Sequence, residues 1–85
     1  MLTSGNAYVE SWGQDPTHGT LNSVRVGGLG ATSLGRELRV EVMGNDGRSV
    51  LDTVTWQINA LVSPDLNLHA PLAFNAVGAI LIAIE

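Results

Sequence analysis

Apolar and polar side chains alternate along much of this chain, the period of a strand that buries one face. Residues 36–43 carry the pattern most cleanly. Leu38, Val40 and Val42 fall on one face; Glu37, Arg39 and Glu41 fall on the other. Residues 7–12 alternate as well, with Tyr8, Glu10 and Trp12 on one side and Ala7, Val9 and Ser11 on the other. A further strand is expected over 20–26. The stretch Gly13-Gln14-Asp15-Pro16-Thr17-His18-Gly19 between them reads as a turn-rich loop, and residues 27–35 as a glycine-rich loop.

Gly44-Asn45-Asp46-Gly47 is a hairpin signal. A three-residue loop, Asn45-Asp46-Gly47, with Gly47 in the left-handed conformation, sets Val42 opposite Val50 and Leu38 opposite Val54. A two-residue loop sets Val42 opposite Ser49. A one-residue slip exchanges the faces of a strand, so the apolar pattern favours the longer loop. That register puts Asp52 opposite Val40, which requires a solvated point. The returning strand carries Val54, Trp56 and Ile58 and is drawn as far as Val62, where Ser63-Pro64-Asp65 ends it.

Residues 66–69 form a short strand, and Pro71 marks an edge or a break. Residues 72–75 form another short extended piece. Residues 77–85 close the chain, with Ile80, Ile82 and Ile84 on one face and Ala79, Leu81 and Ala83 on the other. Both faces are apolar, so this strand is expected to be central or to have one face covered by another subunit. No helix-period segment of useful length and no internal repeat appears. The fold expected is all-β: a small antiparallel sandwich or barrel, jelly-roll-like or immunoglobulin-like, of six to seven short strands. Residues 1–6 read as a flexible arm and 7–85 as a single domain.

Composition narrows the chemistry. The chain has 85 residues, four arginines, no lysine, no cysteine and a net charge of -4. A disulfide scaffold, a cysteine zinc site and a thiol nucleophile are excluded. A P-loop lysine and a Schiff base are excluded as well. An acidic chain is a poor partner for phosphates, so no nucleic-acid partner is expected. No basic, apolar leader is visible at the start. The uncharged stretch 66–84 is interrupted by Pro71, Asn75 and Gly78, so no membrane span is expected. A chain this short hides only ~60–65% of its unfolded surface. With ~1.5 kcal/mol of ordering cost per residue, its net stability comes out near zero. Self-association is the remaining staple.

Several constellations invite a chemical reading. Gly28-Leu29-Gly30-Ala31-Thr32-Ser33 half-matches a dinucleotide fingerprint, but Ser33 stands where a glycine is needed and a strand follows where a helix is needed. A mobile surface loop is the simpler reading. A loop that orders on a partner, with Leu29 and Leu34 as anchors, is another. His18 and His69 are far apart, and Asp15 with His18 offers at most two metal ligands, so no metal or cofactor is expected. The alternating charges of Glu37, Arg39 and Glu41 read as a solvated face rather than an acid–base pair. No serine or threonine has a base beside it in a recognisable motif, so no catalytic residue is assigned. Trp56 and Phe74 read as core. Trp12 reads equally as a core cap or as a contact residue, and with Tyr8 it could make a sugar platform.

The segment Leu66-Asn67-Leu68-His69-Ala70-Pro71-Leu72-Ala73-Phe74, leading into a final apolar strand, resembles a pattern of small tailed-phage structural proteins. The composition, rich in Gly, Ala, Ser, Thr and Asn, is similar in style. The chain thus looks like a capsid decoration, or cement, protein of the small all-β type. The resemblance covers the last quarter closely, and no catalytic residue comes with it. It implies a non-enzymatic protein on the capsid exterior of the virion. Such a protein binds the major capsid protein or another lattice protein and self-associates, most simply as a trimer. The residues expected at protein interfaces are Leu2, Tyr8, Trp12, Leu29, Leu34, Leu81 and Ala83. The competing expectation is a carbohydrate-binding or adhesin module using Trp12 and Tyr8.

Overall fold

The structure, a computed structural model, describes residues 7–85. The arm expected over 1–6 lies outside them. Six strands run in chain order: β1 (Tyr8–Asp15), β2 (Thr20–Gly27), β3 (Glu37–Gly44), β4 (Val50–Gln57), β5 (Asp65–Ala73) and β6 (Val77–Ile84). Short 3-10 turns occupy Ala31–Ser33 and Phe74–Ala76. The strands form two three-stranded antiparallel sheets, ordered β1-β2-β5 and β4-β3-β6. The molecule is a small sandwich, and among the described residues no hydrogen-bonded ladder joins the sheets into a barrel.

The two central strands supply most of the core. Leu21, Val24 and Val26 of β2 face Leu38, Val40 and Val42 of β3, with Ile58, Leu66 and Ile84 around them, all buried. Full burial of an aliphatic side chain is worth about 1.5–3 kcal/mol. The alternation read at 36–43 is the alternation observed. Trp56 is half-buried against this core, and Phe74, expected inside it, is 40% exposed.

The β3–β4 register differs from expectation by two residues. Leu38 lies opposite Trp56, Val40 opposite Val54 and Val42 opposite Asp52. Two small causes add up. Gly44 N–H donates to the Ser49 carbonyl, so the loop holds four residues rather than three. Leu51 is then an extra residue in β4, between the pairs Met43–Val50 and Val42–Asp52. Asp46 holds the wider loop by accepting bonds from the backbone N–H groups of Arg48 and Ser49 and from the Ser49 hydroxyl. An even total shift returns every side chain to its intended face. Gly47 has φ +70, the left-handed turn conformation expected of it.

Three strand boundaries also move. β1 runs on to Asp15, into the stretch expected to be loop. β4 stops at Gln57 instead of continuing towards Val62, and Ile58 turns inward, bonded to Arg36 and Gly35. The two pieces expected after Pro64 are one strand, β5, at a sheet edge as Pro71 requires. Its ladder with β2 nevertheless breaks between Asn67 and Leu72.

The final strand is not central. β6 pairs with β3 and sits at the edge of its sheet. Ile80, Ile82 and Ile84 face the core, while Leu81 on the other face is 52% exposed. Gly78 has a specific reason to be glycine. A Cβ there would stand 2.5 Å from the Gly44 carbonyl oxygen and 2.9 Å from Asn45 Cα.

Candidate functional site

The most distinctive surface feature arises from one irregularity in β1. Tyr8 and Val9 lie opposite Gly27 and Val26, but Ser11 and Trp12 lie opposite Arg25 and Val24. Glu10 is therefore an extra residue, a bulge. It breaks the alternation, so Tyr8 and Trp12 do not share the face expected for them. Tyr8 lies on the outer side of its sheet, its ring covering Gly27. Trp12 points to the inner side, with Val9.

There Trp12 meets Phe74, with ring centroids 6.1 Å apart and planes at 46°. Phe74 is fixed by its own N–H, which donates to the Gly19 carbonyl at 2.8 Å. The two rings rim an open groove of about 400 Å³, lined further by Val9, Leu21, Val77, Gly78, Ala79 and Ile80. No charged side chain lines it. Trp12 is 49% exposed although it faces inward, because β1 and β6, the edge strands on this side, are not paired. The groove is the gap between the two sheets.

The opposite side is stitched shut. Asp52 of β4 accepts bonds from His69 N–H at 2.7 Å and from Thr53 N–H at 2.8 Å, and its other contact is His69 Nδ1 at 2.6 Å. Its side chain is only 9% exposed. The solvated point expected for Asp52 is thus replaced by donors from the other sheet. Burial alone would raise its pKa. The hydrogen bonds from His69 and Thr53 and the His69 charge outweigh burial and leave it below the usual carboxylate range.

The other interface candidates are scattered. Leu29 packs against the core, and Leu34 is exposed beside the 3-10 turn. Leu81 and Ala83 lie on the outer face of β6, opposite Glu41 and Arg39 of β3. Leu2 lies outside the described residues. Among the described residues of the set, only Trp12 reaches the groove. Phe74, Val77 and Ile80 were not singled out for it. The turn-forming Asn75 directly after Phe74 is the one local signal that this ring sits at a strand end.

The polar constellations are occupied locally. Asp15 Oδ2 lies 2.6 Å from His18 Nδ1, and Asp15 Oδ1 accepts from Thr17 N–H. The His18 contact holds the Asp15 pKa below its usual value. With Thr20, Asn22 and Pro71 this pair lines a shallow depression. Among the described residues no group of three His, Cys, Asp or Glu is placed to hold a metal ion. Arg25 makes a two-bond pair with Asp65, at 3.1 and 2.7 Å. Arg39 lies 3.1 Å from Glu85 and 3.5 Å from Glu41. The glycine-rich loop enters one 3-10 turn and then β3, which gives no helix N-terminus for a phosphate. Among the described residues no helix is long and apolar enough to cross a membrane.

No protein-family model, curated protein or solved structure matches this chain.

Proposed function

We propose that this chain is a non-enzymatic assembly module that decorates the outer surface of a phage capsid. It binds the shell protein through the groove between its sheets and associates with copies of itself. The observation that supports this reading is the groove rimmed by Trp12 and Phe74. It is mostly apolar and open to solvent, and two large aromatic rings stand half-exposed at its mouth. Aromatic side chains in such settings are the usual anchors of protein interfaces. A groove with no charged group suits an apolar side chain of a partner. Many weak contacts repeated over a lattice then multiply into tight attachment.

The carbohydrate reading has less support. A sugar platform needs flat aromatic faces flanked by polar groups. Here Tyr8 and Trp12 lie on opposite sides of one sheet, and the Trp12–Phe74 planes are tilted. Co-sedimentation with purified capsids tests the proposal. Wild-type protein pellets with the shells, and Trp12→Ala weakens binding by ~10-fold or more, the size of an interface anchor. Equal binding by wild type and Trp12→Ala would remove the groove from the account.

A further inference from the structure

We infer that β6 is a pairing edge, and that two copies of this chain join there about a two-fold axis centred on Leu81. The inference deepens the self-association in the function proposed above. An unpaired strand edge is a template for another strand, and proteins usually blunt such edges with bulges, prolines, charges or a covering segment. Among the described residues, three of the four sheet edges are blunted within the body of the strand in one of these ways. β1 carries the Glu10 bulge, and its ladder with β2 shifts again beside Gly13, where Asn22 of β2 is the extra residue. β5 carries Pro71 and its interrupted ladder. β4 carries the Leu51 bulge and is covered by β5 through Asp52 and His69.

β6 has one bulge near its start, where Gly78 is an extra residue between the pairs Met43–Ala79 and Gly44–Val77, and beyond it, among the described residues, none of these devices. Its sequence Val-Gly-Ala-Ile-Leu-Ile-Ala-Ile contains no charge and no proline, and its register with β3 is unbroken from Ala79 to Ile84. Its backbone polarity follows from that register. Glu85 and Glu37 exchange two hydrogen bonds, so the pairs two and four residues on, at Ala83 and Leu81, also bond towards β3. The N–H and C=O groups of Ile80 and Ile82 therefore point to the open side. Both residues are only half-buried, whereas Ile84 is covered.

An antiparallel copy centred on Leu81 sets Ile80 against the partner's Ile82 and satisfies these groups reciprocally. It also brings the two exposed Leu81 side chains together on the outer face. That closed arrangement is self-complementary, as a two-fold interface must be. Pairing β6 with β1 of another copy, which would allow a ring of three, meets the Glu10 bulge in β1. Two copies are therefore favoured over the three that the resemblance implies.

Sedimentation and amide exchange on the full chain test the inference. Wild type is expected at the mass of two chains, and Leu81→Lys, which opposes two like charges, at the mass of one. Leu51→Lys, at an exposed site on β4, is expected to stay at two. The Ile80 and Ile82 amides are expected to exchange ~10-fold or more slowly in wild type than in Leu81→Lys. Any other wild-type mass overturns the inference, as does a pair that Leu81→Lys leaves intact or amides that exchange equally in both. Capsid binding is read separately by co-sedimentation, so failure of the pair and failure of the function are distinguishable.

Discussion

Asp52 ties one sheet to the other. It lies on the inner face of β4 opposite the buried Val42, and its donors come largely from the other sheet. Replacing it with alanine removes several bonds to a charged group and leaves the His69 N–H without its acceptor. Asp52→Ala is expected to cost about 1.5–3 kcal/mol in urea unfolding. His69→Ala keeps the backbone bond and removes only an exposed imidazole, so it is expected to cost under ~1 kcal/mol. Equal costs would mean that the side-chain pair, not the backbone bond, holds the sheets.

The carboxylates also set the acid limit. Hydrogen bonds from the Ser49 hydroxyl and from the Ser49 and Arg48 N–H groups hold the Asp46 pKa down to about 2, and Asp15, Asp52 and Asp65 are lowered as well. A lowered folded-state pKa contributes stability that is present above the unfolded value, near ~3.9, and lost as pH falls through the folded one. Unfolding midpoints are therefore expected to hold steady down to about pH 5 and to fall below pH 4. Asp46→Asn is expected to flatten the part of that fall between about pH 4 and 2. A midpoint that rises on acidification would contradict this assignment.

At the scale of elements, the strands were legible in the sequence where one face is buried and the alternation is unbroken. β3 shows this best, and the left-handed Gly47 was equally readable. Single extra residues were not. Glu10 and Leu51 look like ordinary strand residues, and only cross-strand pairing shows them as bulges. The Glu10 bulge turned Trp12 inward, so the groove could not be read from the chain. The edge position of β6 was hidden for a different reason. An apolar pattern on both faces is the same for a central strand as for an edge that another chain covers.

This division predicts mutational costs. Leu38→Ala, in the middle of the core, is expected to cost about 2–5 kcal/mol, while Leu81→Ala is expected to leave the folding of a single chain within about 0.5 kcal/mol. Gly78→Ala is expected to cost about 1–3 kcal/mol, because the new methyl meets the backbone of the β3–β4 loop. Thermal or urea melts of the three variants check the ranking. A neutral Gly78→Ala would show that the loop yields freely.

At the scale of the whole molecule, the sandwich is lopsided. One side is fastened by Asp52 and His69, and the other opens into the groove between β1 and β6. The slab measures 37 × 25 × 18 Å, and its apolar side chains outnumber what so thin a body can bury. Tyr8, Trp12, Leu61, Val62, Phe74 and Leu81 all remain at least 40% exposed. A free monomer gains nothing from this exposure, whereas a module that completes its burial on a lattice does. The central claim is that this chain is built to sit on the outside of a capsid. Mass spectrometry of purified virions, before and after mild protease treatment that leaves the shells closed, tests it most directly. The account predicts that the chain is present in many copies per particle and is released or clipped by the protease. Its absence from the particles, or its protection inside closed shells, would contradict the account.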